Sequence, residues 1–202
     1  MKRQGILFVI SAPSGAGKTS LCKEIIDIIP DLRHSVSYTT RLPRSSEVDG
    51  EDYFFVSGDE FRRMADGGEF AEWAEVHGNL YGTALRTIEE YRDKGVDLIL
   101  DIDCQGASRI RESYSEGVFV FVLPPNLEEL NRRLDLRNSD APEVIARRIE
   151  RASAEIRESI KYDYIIVNNV FSKAAEEFKS IILAERVKAR RVLTRVAEIF
   201  KI

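Results

Sequence analysis

The sequence has little in it from which to build a metal cluster or a disulfide scaffold. Among 202 residues there are two cysteines, Cys22 and Cys104, and two histidines, His34 and His77. Cys22 falls inside a predicted helix and Cys104 after a predicted strand, with no paired spacing, so neither a disulfide framework nor a zinc site is expected. The histidines stand alone and read as packing or surface residues. No apolar run approaches the roughly 20 residues of a membrane-spanning helix. The short basic start passes directly into Ile6 to Ile10, which reads as a strand rather than a secretory leader. Nor is one sign of charge in excess: 30 basic against 34 acidic side chains give a net charge of −4, which argues against nucleic-acid binding through a globally basic surface. No internal repeat or low-complexity tract is present. What remains is a chain long enough to bury a real core as one unit, with the cytoplasm as its natural compartment and no membrane or nucleic-acid partner.

What is present begins at Ala12. The stretch Ala12-Pro13-Ser14-Gly15-Ala16-Gly17-Lys18-Thr19-Ser20 lies between the hydrophobic run Ile6 to Ile10 and a helical pattern. Small residues there let backbone N–H groups approach phosphate oxygens, and the helix that follows points its positive dipole end at the same anion. Lys18 would reach the β- and γ-phosphates, and the Thr19 hydroxyl would ligate Mg²⁺ bound with ATP. The pattern normally opens on Gly, and Ala12 stands there instead; the Gly17-Lys18-Thr19 core and the strand-to-helix setting carry the reading of a nucleotide-binding loop.

Three further apolar runs, Val96 to Ile102, Val118 to Leu123 and Tyr164 to Val167, predict strands. They alternate with helical patterns at Leu127 to Leu136, Val144 to Ile160 and Ala174 to Val187, the second marked by Ile145, Ile149, Ala152, Ile156 and Ile160 at helical spacing. Lys188 to Ile202 predicts a terminal helix. Such alternation implies an α/β fold with a parallel sheet covered by helices on both faces. Pro124-Pro125-Asn126 ends one strand and supplies an N-cap, with Glu129 completing a capping box. From Ser37 to about Arg86 the rhythm breaks into Gly, Tyr, Phe and turn residues, predicting an inserted lobe of short antiparallel strands. Within it Ser57-Gly58-Asp59-Glu60 opens a short helix that ends at Gly67-Gly68. Trp73, Phe54, Phe55 and Phe70 read as that lobe's core rather than as a stacking surface for bases. Arg137 to Pro142, poor in apolar residues, reads as a mobile lid.

Arg41 and Arg44 stand three residues apart in a predicted loop beside the hydroxyls of Ser37-Tyr38-Thr39-Thr40. Two guanidinium forks suit a phosphate monoester, although an isolated arginine pair is usually just solvated surface. Downstream come Asp52-Tyr53-Phe54, Glu72-Trp73, Gly78-Asn79-Leu80-Tyr81-Gly82-Thr83 and Leu98-Ile99-Leu100-Asp101-Ile102-Asp103. This ordered set, with the phosphate loop in front, resembles the guanylate kinase family over roughly Gly5 to Arg186.

The resemblance implies a phosphate-loop NTPase-type core (residues 1–36, 87–135 and 152–202), a GMP-binding lobe (37–86) and a lid (136–151) in a single domain. It implies transfer of the γ-phosphoryl group of MgATP to GMP, with dGMP as a second acceptor. Arg41, Arg44, Tyr53 and Tyr81 match the residues that hold the GMP phosphate. Glu72 matches the guanine reader, supported by Ser37, Thr83 and Asp103: a carboxylate accepts from guanine N1–H and N2–H together, and hydroxyls satisfy O6. Asp101 matches the acid behind the metal, and Arg137 and Arg148 match arginines that swing onto the transferring phosphoryl group. Asn168 matches the residue beside adenine. The chain departs from the family pattern at Leu136-Arg137-Asn138, where glycines commonly flank the arginine, and at Asn169, where Asp is common. Two other readings stay open on sequence: a guanylate-kinase-like module that binds peptides, and a phosphate-loop kinase for another small phosphorylated substrate. Oligomeric state is not fixed by the sequence.

Overall fold

The computed structural model describes residues 3–76, 78–135 and 152–201. The strands are β1 (Leu7–Ser11), β2 (Leu32–His34), β3 (Ser37–Thr39), β4 (Tyr53–Phe55), β5 (Phe70–Val76), β6 (Asn79–Ala84), β7 (Asp97–Asp101), β8 (Val118–Leu123) and β9 (Tyr164–Val167). Between them lie α1 (Lys18–Ile28), α2 (Gly58–Asp66), α3 (Leu85–Asp93), α4 (Cys104–Ser113), α5 (Leu127–Asp135), α6 (described over 152–158), α7 (Phe171–Arg186) and α8 (Ala189–Phe200).

Strands β2, β7, β1, β8 and β9 form, in that order, a parallel sheet. Strand β1 is buried along its whole length, which is why it reads as an unbroken apolar run instead of an alternating one. Phe8 and Ile10 face one side, where Leu21 and Ile25 of α1 and Phe178 and Ile182 of α7 pack. Leu7 and Val9 face the other, against Ile88 of α3 and Ala107 and Ile110 of α4. The α/β expectation is thus met, with helices on both faces. Strand β2 went unforeseen: with only Leu32 fully buried in three residues, it is too short to display a period.

A second sheet runs β4-β3-β6-β5. Its β3–β6 and β6–β5 pairs are antiparallel as expected, but β3 and β4 pair in parallel, Tyr38 opposite Phe54. The connection from Thr40 to Asp52 is long enough to return the chain to the end it started from, which a tight hairpin cannot do. Helix α2 covers this sheet with Phe61 and Met64 against Phe70. Its cap is the expected one, the Ser57 hydroxyl accepting from Glu60 N at 3.1 Å. At α5 the Asn126 carbonyl oxygen accepts from Glu129 N at 2.7 Å.

Other boundaries shift. Helix α7 starts at Phe171, earlier than its apolar spacing indicates, and α6 gives way to a 3₁₀ turn at Ser159–Lys161 that leaves Ile160 85% exposed, off the buried face assigned to it. The end of the helix expected at Leu136 and the start of that expected from Val144 lie outside the described residues.

One polar group in the core joins distant segments. Asp97 is fully buried; its Oδ1 accepts from Arg3 Nη1 at 2.6 Å and from Ile6 N at 2.7 Å, and its Oδ2 accepts from Arg186 Nε at 2.7 Å. A buried carboxylate is tolerated because two guanidinium groups and a backbone donor satisfy it.

Candidate active site

At the carboxyl end of β1 the chain turns through Gly15 and Gly17, whose φ angles of 90° and 92° lie in the left-handed region that favours glycine. Gly17 has a second reason to be bare: a Cβ there would lie 2.5 Å from Asn168 Nδ2. Helix α1 then opens with no side-chain cap and no acid in its first turn, leaving its N–H groups for an anion. Lys18 Nζ donates to Ile102 O at 3.0 Å and forms an ion pair with Asp101, and Thr19 Oγ1 donates to Asp101 Oδ2 at 3.2 Å. Burial works to lower the Lys18 pKa, but the charge and hydrogen bond of Asp101 outweigh it and hold the ammonium above its usual value. Cys22, one turn further on, is a core residue whose thiol is pushed well up by burial, so it is poorly suited to act as a nucleophile.

Between the two sheets lies a cavity of about 280 Å³, whose walls include Lys18, Asp101, Ser37, Tyr53, Glu72 and Asp103. Residues from the phosphate loop, the ends of β7 and the second sheet therefore meet at one space. Glu72, on β5, is 6% exposed, and its Oε1 accepts from Thr83 Oγ1 on β6 at 2.6 Å. Burial, with the charge of Asp103 beside it, raises the Glu72 carboxyl to about 7 against the opposing pull of the Thr83 hydroxyl and Arg109. Asp103 caps α4, its Oδ1 accepting from Gly106 N at 2.8 Å.

The rings of Tyr53 and Tyr81 meet edge to face with centroids 6.0 Å apart, and the Arg41 guanidinium lies 5.5 Å from the Tyr53 centroid. Its partner was missed on sequence. Glu47 accepts from Arg41 Nη2 through both carboxylate oxygens, at 2.8 and 2.9 Å, and from Arg44 N at 2.8 Å. An acid six residues from an arginine inside a polar loop carries no periodic signal, so only the folded turn reveals it. Arg44 itself extends outward with its side chain 75% exposed.

One expectation about the aromatic side chains needs adjusting. Phe70 is core, but Trp73 is 40% exposed, with the Arg109 guanidinium 5.5 Å from its ring, because it falls on the outer face of β5. Asn168 is buried against the phosphate loop, its Nδ2 donating to Ala16 O at 2.8 Å. Arg137, Arg148 and the lid at 136–151 lie outside the described residues, as does His77.

The guanylate kinase family model matches residues 4–185. The chain belongs to the guanylate kinase family. It is 66% identical over 200 residues to the guanylate kinase of Geobacter sulfurreducens, covering 99% of this chain and 98% of that one. It is 59% identical to that of Syntrophotalea carbinolica, covering 100% and 96%. The crystal structure of guanylate kinase from Anaplasma phagocytophilum superposes with a TM-score of 0.80 at 35% identity, covering 98% of this chain and 96% of that chain. The enzyme uses ATP to phosphorylate GMP to GDP, and neither the peptide-binding module nor a kinase for another substrate remains as a reading. Among the described residues no helix is long and apolar enough to cross a membrane.

Proposed function

We propose the following division of labour for the ATP-to-GMP phosphoryl transfer. The backbone of Ala12 to Thr19, with Ser20, cradles the ATP phosphates, and Lys18 leaves Asp101 to reach the β- and γ-phosphates. Asn168 sits on the adenine side. Residues 37–86 form the GMP lobe, 136–151 the lid and the remainder the core. Arg41, Arg44, Tyr53 and Tyr81 hold the GMP phosphate, since guanidinium and phenol donors suit a dianion. Ser37, Glu72, Thr83 and Asp103 read guanine. Adenine in the same place would set its N1 acceptor against the Glu72 carboxylate and offer no amino donor there, a mismatch of unpaired groups that can be worth roughly 10⁴ in discrimination. In this reading dGMP serves as a second acceptor.

An oxygen of the GMP phosphate attacks the γ-phosphorus in line while ADP leaves, and no general base is needed because that oxygen is already ionised at neutral pH. Catalysis is then positioning and charge neutralisation. The hard oxygens of Thr19 and Asp101, 3.2 Å apart beside the phosphate loop, fit Mg²⁺ arriving with ATP. There the ion would supply positive charge to offset that of the phosphates. Arg137 and Arg148 stabilise the charge of the transferring group, each worth on the order of 10³ in rate. The cytoplasm, where both nucleotides and reduced thiols are found, is the setting that two unpaired cysteines suit.

The observation that carries this reading is a single cavity walled by both the Lys18–Asp101 pair and the buried Glu72 carboxyl. Its test is ADP production from MgATP with GMP, dGMP, AMP, CMP and UMP in turn, with Lys18→Ala as the blank. Turnover confined to GMP and dGMP and abolished in Lys18→Ala is expected. Equal rates with AMP, or substantial residual activity in the Lys18 variant, would overturn these roles.

A further inference from the structure

We propose that Gly106 is a specificity-determining position: the bare backbone of α4 is the seat of the Glu72 carboxyl, and a side chain there would unseat the group that reads guanine. The inference rests on the reading of Glu72 given above.

Glycine in a helix carries an entropic cost relative to alanine, so its presence within α4 asks for a reason. The usual one is missing. Gly106 is not among the glycines of positive φ, and its position in α4 is ordinary helix. Its surroundings supply the reason instead. A Cβ on Gly106 would stand 2.6 Å from Glu72 Oε2 and 3.2 Å from Glu72 Cδ, with Ile102 Cδ1 at 3.3 Å. At 2.6 Å carbon and oxygen cannot coexist. The backbone of α4 is poorly placed to retreat, because Asp103 Oδ1 holds Gly106 N at 2.8 Å and Gly106 is itself buried. The group free to give way is the carboxyl end of Glu72.

That end is held from two sides. Thr83 Oγ1 bonds Oε1 at 2.6 Å, and the α4 backbone stands against Oε2. The hydroxyl fixes the carboxyl from within the second sheet, while the missing side chain admits it on the side of α4. Reading the guanine edge requires both oxygens to face N1–H and N2–H together, so a shift of one oxygen forfeits the paired contact while leaving the phosphate contacts alone. A displacement near 1 Å in a positioned group can cost on the order of 10² in rate.

Gly106→Ala should favour helix formation, so the variant is expected to fold. The probes are GMP and IMP, which differ by the exocyclic amino group that donates N2–H. The expected result is a fall on the order of 10² in kcat/KM for GMP and a loss of at least tenfold in preference for GMP over IMP. KM for ATP and the melting temperature should stay close to those of the parent. In a Glu72→Ala background Gly106→Ala should add nothing, since the group it displaces is gone. With Glu72→Asp, whose shorter side chain leaves room, Gly106→Ala should cost far less than in the parent.

Glu72→Ala that keeps the full preference for GMP over IMP would overturn the reading of Glu72 and this inference with it. Glu72→Ala that loses the preference while Gly106→Ala retains it would overturn the seat alone. So would a Gly106→Ala effect that persists undiminished in the Glu72→Ala background, or one that falls equally on ATP and on thermal stability.

Discussion

A carboxyl that titrates near 7 is a conditional acceptor. Glu72 can take N1–H and N2–H of guanine only when ionised, and burial beside Asp103 holds it at about 7 in the nucleotide-free protein. Binding GMP should therefore release a proton from Glu72 near neutrality. The expected outcome is a kcat/KM for GMP that rises with pH through 7. Glu72→Gln should lower kcat/KM for GMP strongly, leave KM for ATP little changed, and remove that inflection. The GMP phosphate titrates near 6 in both proteins, so the difference between the two profiles isolates Glu72. Stability carries the opposite sign. The folded pKa lies above the unfolded one, so the neutral carboxyl's contribution is complete at acid pH and is lost as pH rises through about 7. Melting of the nucleotide-free protein between pH 5 and 8 should show the parent losing stability relative to Glu72→Gln.

Glu72 was legible in the sequence only through a resemblance; nothing in its local pattern announces a buried acid. Lys18 was legible on its own, because a phosphate loop binds through contiguous backbone. Glu47 and Gly106 were not, since each acts on a residue, Arg41 or Glu72, that the fold alone brings to it.

Among elements, those whose signal is local were the ones that could be read. The caps at Ser57 and Asn126 need three residues and a hydrogen bond, and both form as their sequences indicate. Removing one has a defined cost: Ser57→Ala should lower stability to denaturant by about 1 kcal/mol, with little change in KM for ATP. A shift in the urea midpoint checks it. The buried strands β1 and β8 were equally plain because both their faces are covered. The parallel pairing of β3 with β4 was hidden for the converse reason. Strand direction is decided by where a connection ends, and the 40–52 connection is fixed by contacts such as Glu47 with Arg41, which no periodicity records.

For the molecule as a whole, Asp97 is the group on which distant parts depend. Arg3 and Arg186 share it, one on each oxygen. Arg186→Ala leaves Arg3 and Ile6 N in place and should cost about 2 kcal/mol, less than the ~3–5 kcal/mol of a fully orphaned buried charge. Replacing both arginines should approach that larger figure. Urea unfolding of the two variants tests the arithmetic, and a double variant no worse than the single would show that Arg3 carries none of the load.

The same carboxylate sets an order of events while the chain is being made. Asp97 and Arg3 leave the ribosome long before Arg186, so the nascent strand β7 carries a charge that only half its eventual counter-ions can neutralise. The first half of the sheet can gather early, yet its edge beside Pro30 stays electrically unfinished until α7 emerges and Arg186 also donates to the Pro30 carbonyl at 2.8 Å. A chain cut short within α7 would lack Arg186, leaving Asp97 with Arg3 and Ile6 N as its partners on one oxygen and its other oxygen without the arginine that completes the site.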